Sequence, residues 1–236
     1  MKHLLLLTLI FFTTFSAFGQ DNKISRPDSI SRFVMSRVSF ELNKMEKFQK
    51  LLFDNNYSKI ATYGNKIEGV ISYTNVEKRI NSKFGFGILS RFSENRDAEN
   101  QASFLGYHFT LETGYDLIKS KDLILRPYYG VGIEYNKIKF VEGFSSAELG
   151  EIFNSDFKTF SISHFSVPLI AGLELGGNFN LYKGFTLQVT TFGGYKLNLI
   201  RDWKLEDVVD TDNRISLGGL FVGFGVGFNF DNNWNY

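Results

Sequence analysis

The chain contains no cysteine and only 3 prolines among its 236 residues, which excludes a disulfide framework, a thiolate metal site and a cysteine nucleophile. It lacks an excess of either charge: 26 Lys+Arg stand against 25 Asp+Glu, leaving no net field to gather nucleic acid or an anionic surface. Past residue 19 it has no apolar run of helix-spanning length free of Gly or charge, so any later crossing of a membrane must be made by strands. Abundant instead are aromatics, with 26 Phe, 11 Tyr and 2 Trp, beside 22 Gly. At 43% hydrophobic and 22% charged residues the chain is ordered by composition, and Phe, Tyr and Gly without Pro favour strands over helices. The length fits one domain.

The N-terminus reads as an export signal. Met1-Lys2-His3 is a short basic start, Leu4 to Ser16 is an apolar run broken only by Thr, and Ala17-Phe18-Gly19 places small residues where a signal peptidase reads. This predicts a signal peptide over 1–19 cleaved before Gln20, a periplasmic segment over 20–31 and a barrel domain over 32–236. No Cys follows the cleavage point, so a lipoprotein anchor is excluded. Cleavage removes Lys2 and no acid, leaving 25 basic and 25 acidic side chains.

The rest of the chain alternates with a period of two, the mark of strands. Leu220, Val222, Phe224, Val226, Phe228 and Phe230 share one parity while Gly219, Gly223, Gly225, Gly227 and Asn229 share the other. The same holds over 105–117, 125–135, 165–175 and 185–199, and more weakly over 66–77, 83–93 and 32–42, where Arg32, Arg37 and Glu41 interrupt both faces. That gives eight strands. Short connections at 78–82, 119–122 and 178–184 alternate with long polar ones at 43–65, 94–103, 141–159 and 201–213. The pattern predicts an all-β, eight-stranded antiparallel up-and-down transmembrane barrel, with short turns at one end and long loops at the other. In the first long loop Asn43 is placed to cap a short helix, with Glu46 three residues on and Met45, Phe48, Leu51 and Leu52 at helical spacing.

Alternation alone does not say which face meets lipid, since a soluble periplasmic ligand-binding barrel inverts the faces and keeps the pattern. Gly decides it, because Gly85, Gly87, Gly106, Gly114, Gly130, Gly132, Gly172, Gly176, Gly223, Gly225 and Gly227 all lie on the polar parity. In a narrow eight-stranded barrel small residues belong inside. The apolar parity carries aromatics near strand ends, Tyr115, Tyr129, Phe140 and Phe230, as interfacial girdles do. The interior then receives Glu68, Arg91, His108, Glu112, Asp116, Arg126, Glu134, Glu174 and Lys196, expected to pair with one another as a filled network, not a conducting pore.

In pattern the chain resembles the small outer-membrane β-barrel proteins of the PorT-like group. The matching pieces are the Ala17-Phe18-Gly19-Gln20 junction, a helical first loop running into Asp54-Asn55-Asn56-Tyr57-Ser58-Lys59-Ile60, the stretch Phe165-Ser166-Val167-Pro168-Leu169, and the Gly-rich last strand. Gly225, Phe228 and Phe230 also resemble the terminal signal read by barrel-assembly machinery, although Phe224 stands where a polar residue is usual and six residues follow Phe230. The resemblance implies the fold, an outer-membrane location, contact with outer-membrane lipid and handling by that machinery. It assigns no task, and the namesake's link to secretion is not carried over.

Chemistry is thinly marked. His164 and Ser166 share one strand face, and a Ser–His pair held by a carboxylate is the minimum for acyl transfer. Outer-membrane lipid A deacylases look like this, so an ester hydrolase using Ser166 and His164 stands as the enzyme alternative. His108 and Glu112 share a face but lie about 13 Å apart along a strand, too far to hold one metal. The acidic loops, with Glu94, Asp97 and Glu99 and with Glu206, Asp207, Asp210 and Asp212, have no EF-hand spacing. Gly223-Phe224-Gly225-Val226-Gly227 has strand period and no following helix, which argues against a phosphate loop. The expectation is therefore no cofactor, no metal, no nucleic acid and no catalysis, with any specific role, structural, adhesive or partner-binding, carried by the long loops.

Overall fold

The computed structural model describes residues 30–43, 45–91, 100–142, 158–182, 185–199, 203–205, 209–211 and 217–230. The expected signal peptide, Glu94, Asp97, Glu99, Glu206, Asp207, Asp212, Trp234 and Tyr236 lie outside these residues, and of Phe230 only the backbone is described. The elements are β1 (Ile30–Asn43), α1 (Glu46–Asp54), β2 (Tyr63–Asn75), β3 (Ile80–Arg91), β4 (Gln101–Tyr115), β5 (Leu123–Glu142), β6 (Lys158–Ser166), β7 (Pro168–Tyr182), β8 (Phe185–Asn198), β9 (Trp203–Leu205), β10 (Val209–Thr211) and β11 (Gly219–Phe230).

Every ladder is antiparallel, the first strand pairs with the last and β5 pairs with β7, so the main wall closes on itself. β6 and β7 form one stave of the wall, because both pair with the 20-residue β5 in a single register, Glu134 opposite Ser166 and Val131 opposite Leu169. They part at Val167, since Pro168 has no N–H to give the ladder. With β9 and β10 a small hairpin added to β6, the barrel has eight staves, as the periodicity predicts. One outward row runs from Arg32 through Tyr73, Ser82, Thr113, Tyr129, Ala171, Tyr195 and Leu220 and returns to β1 at Leu42. The return falls ten residues from its start, a shear of 10 for eight strands, which tilts them about 40° from the axis.

The polarity is that of a barrel solvated by lipid. Val34 is 65% exposed and Phe86 64%, while Arg37, Arg126 and Lys196 are at most 3% exposed; a soluble barrel requires the reverse. On β5 the outward residues run Leu123, Leu125, Pro127, Tyr129, Val131, Ile133 and Tyr135 without a charge, and then Lys137 and Lys139 appear. That uncharged stretch measures about 40 Å along the strand and about 30 Å along the axis, enough to cross a hydrocarbon core. Inward crowding explains the glycines: a Cβ on Gly87 would lie 2.7 Å from the His108 ring and 2.8 Å from the Glu68 Cα.

The interior is layered, with a small apolar group of Phe33, Met35 and Val70 toward the short turns. At the long-loop end Met45, Phe48 and Leu52 pack with Ile60, Leu89, Ala102, Phe104, Ile138, Phe140, Trp203 and Leu217, so α1 turns its apolar stripe into the mouth and stoppers it. Below lies the charged layer.

Several expectations are corrected. Asn43 ends β1 facing inward, and the N-cap position of the helix is Met45 with no side-chain cap, because strand pairing with Gly219 holds Asn43 extended. Leu51 is exposed, outside the helix's buried stripe. Phe140 is no girdle residue: its parity faces the stopper, where it stacks on Phe160 at 4.6 Å. Val167, expected outward, is buried where the ladder lapses. The first turn occupies 76–79, not 78–82, because β2 ends at Asn75 and β3 already begins at Ile80.

Candidate functional site

Alternation on eight tilted strands sends every second polar side chain to the axis, where residues distant in sequence meet. Glu174 (β7) sits at the centre, accepting from Lys83 Nζ at 2.5 Å, Arg126 Nη1 at 2.9 Å and Arg37 Nη2 at 3.5 Å. Arg37 also donates through Nη1 to both oxygens of Glu112, at 3.1 and 2.9 Å, and its guanidinium lies 4.5 Å from the centre of the Phe192 ring. Arg126 grips Asp116 with Nε at 2.8 Å and Nη2 at 3.1 Å. Nearer the stopper, Lys196 Nζ donates to Glu41 at 2.6 Å and to Glu134 at 2.9 Å. Glu68 joins the groups: it accepts from Thr110 Oγ1 at 2.8 Å and lies 3.3 Å from His108 Nε2, 3.6 Å from Lys66 Nζ and 3.7 Å from Arg37 Nη1.

Among the described residues the interior thus holds six acids (Glu41, Glu68, Glu112, Asp116, Glu134, Glu174) and six bases (Arg37, Lys66, Lys83, Arg91, Arg126, Lys196). Burying such charges is costly unless each finds a partner, and here pairing links seven of the eight staves, all but β11. The gap lined by Arg37, Glu41, Lys66, Glu68, Phe192 and Lys196 has room for about one water.

All nine residues named from the sequence point inward. His108 meets Glu68 across strands, not Glu112 along its own. Arg91 differs from the rest: its Nη1 donates to the carbonyls of Ala61 and Thr62, at 3.1 and 2.9 Å, and so ties down the loop that follows α1. Sequence reasoning missed Arg37, Glu41, Lys66 and Lys83. The usable signal was the shared parity of Phe33, Met35, Arg37, Ser39 and Glu41, which Arg32 on the opposite parity obscured.

The Ser166 hydroxyl donates to Glu134 at 3.4 Å, and the His164 ring stacks on Trp203 at 4.9 Å. Both residues are at most 1% exposed. In the last strand Gly225 faces inward opposite Arg37, and Phe228 faces outward with its ring 5.3 Å from Phe185. Among the described residues no three His, Asp or Glu side chains are grouped to hold a metal ion.

The chain is a closed eight-stranded antiparallel β-barrel of the lipid-facing class. No family model matches it. No curated protein matches it either. Among solved structures it is similar to the attachment invasion locus protein Ail of Yersinia pestis, at 13% identity and TM-score 0.44 over 85% of this chain and 97% of that one. Neisserial surface protein A gives 12% and 0.42 over 86% and 98%. A major outer membrane protein of Thermus thermophilus gives 10% and 0.43 over 84% and 99%. Scores this low carry no argument about task, and the barrel rests on its own strand pairing.

Proposed function

We propose that the protein is an exported outer-membrane β-barrel, of the kind its PorT-like resemblance suggests, whose specific work is adhesion, partner binding or envelope structure through the long-loop end. The observation that carries this is the inverted polarity: a girdle of exposed Phe, Leu, Ile and Val about 30 Å tall around a self-neutralised charged interior. In this reading outer-membrane lipid covers the wall and barrel-assembly machinery inserts it. The lumen is structural, stoppered by α1 and filled by ion pairs, and it conducts nothing.

Cell fractionation tests the location. The protein is expected with outer membranes, to need detergent for release, and to change gel mobility on boiling; recovery in the periplasmic fraction without detergent would overturn the reading. Crosslinking from the 141–159 and 201–213 loops on intact cells is expected to capture whatever the loops bind. Catalysis at Ser166 and His164 is disfavoured because the hydroxyl is committed to Glu134 inside the wall. The double variant S166A/H164A should therefore leave the lipid A mass spectrum of the cell unchanged, and a new lipid A mass would establish the enzyme alternative.

A further inference from the structure

The short-turn end of the wall carries two arginines that the lumen network does not use. Arg32 extends outward from β1 with its guanidinium 5.9 Å from the centre of the Tyr73 ring, and Arg79, in the β2–β3 turn, lies 4.7 Å from that of Tyr115. Stacking occupies the face of a guanidinium and leaves its N–H edge free to donate. The two are level. A shear of 10 over eight strands lowers points of equal height by little more than one residue per strand, so the level of Arg32 meets β3 at its first residues, beside Arg79. They stand two strands apart, about 12 Å at one level on strands so tilted.

Neither guanidinium has a carboxylate partner among the described residues, whereas inside the barrel every base but Arg91 has one. The one acid in the turn, Glu77, is exposed and makes no ion pair with either. Between the two Arg–Tyr pairs lies Ser82, outward by parity yet only 7% exposed, a small hydroxyl residue paired with Tyr73 and Thr113. Arg79 also has φ 59°, the left-handed region where Gly or Asn costs less. Directly along the strands from this rim lie Ile71, Phe84 and Leu111, and Phe84 meets Tyr73 edge to face at 6.2 Å.

We propose that this rim of β1–β4 binds the phosphate head group of an anionic phospholipid, with Arg32 and Arg79 as donors and the acyl chains laid on Ile71, Phe84 and Leu111. The chemistry is complementary at both ends: unpaired guanidinium edges suit phosphate oxygens, and the neighbouring wall is apolar. The assignment rests on the membrane-barrel reading above.

The test uses the full barrel in nanodiscs of phosphatidylcholine mixed with phosphatidylglycerol, followed by native mass spectrometry of the lipid it retains. Wild type is expected to retain phosphatidylglycerol preferentially. R32Q/R79Q should retain about tenfold less, while K137Q/K139Q, which removes two outward cations at the other rim, behaves as wild type. Change of gel mobility on boiling shows that each variant is folded. Equal retention by R32Q/R79Q, or an equal loss in K137Q/K139Q, would overturn the site. Displacement of the lipid by millimolar inorganic phosphate would overturn the lipid assignment in favour of a free anion. Failure of the membrane reading shows differently, as a wild-type protein that stays in solution without detergent and never enters the disc.

Discussion

Glu174 offers the sharpest test of the idea that charge pairing holds the wall together. It is fully buried and accepts from three bases on three other strands, Lys83, Arg126 and Arg37. In Glu174→Gln the volume is kept and the charge removed. Arg37 retains Glu112 and Arg126 retains Asp116, but Lys83 is left with no carboxylate among the described residues and only the Tyr128 ring at 5.7 Å. Stranding a buried charge in this way costs about 3–5 kcal/mol. The cost should show as a lower urea midpoint for unfolding from lipid vesicles, followed through Trp203 in the stopper, with the denaturant slope unchanged. The companion change Lys83→Met should return most of the loss, because an apolar side chain of similar length needs no partner. A loss under about 1 kcal/mol for E174Q, or no recovery in E174Q/K83M, would refute the claim that pairing in this layer holds the wall.

Other consequences are more local. Gly223→Ala should destabilise the barrel by about 1–3 kcal/mol, seen as a smaller fraction migrating as folded, since its Cβ would lie 2.6 Å from the Phe192 ring and from Ser39 Cβ; Gly69→Ala, on the lipid side with its nearest atom at 3.9 Å, should be neutral or slightly stabilising. Leu52→Asp should loosen the stopper, read as faster proteolysis at α1, yet planar-bilayer recordings should still show no current, because the charged layer beneath leaves room for about one water. Burial first, and then the bond to Glu142 at 2.7 Å, push the Tyr57 phenol above its usual range. Folding therefore favours its protonated form, a contribution present below about pH 10 and lost as pH climbs through the folded value. Absorbance titration up to the alkaline unfolding point should count as many ionising tyrosines in Tyr57→Phe as in wild type.

The barrel was legible because its evidence is local. Alternation in 105–117 or 219–230 needs only neighbours along the chain, and Gly on one parity already says which side is crowded. The pairings were not legible, because a row joins residues such as Arg37 and Glu174 whose meeting depends on shear and tilt, which no single strand carries. β1 shows the limit: Arg37 and Glu41 face inward while Arg32, beyond the lipid belt, faces outward, so polarity along that strand changes with height as well as parity. The same effect turns Phe140 inward. Near the stopper the interior turns apolar and the exterior basic at Lys137 and Lys139, and a rule learned in the belt inverts.

The seam between the first and last strands sets a condition on how the molecule can come into being. Val34 pairs with Phe228, about 190 positions later, and Lys196 reaches Glu41 over a comparable distance. Until β11 arrives, the growing sheet would show lipid two raw edges, and several of its charges would have no counter-ion. No partly finished intermediate can rest in hydrocarbon at low energy. Threading one hairpin at a time is therefore a costly route for this chain, and the cost is least where sealing of the cylinder accompanies entry into the bilayer.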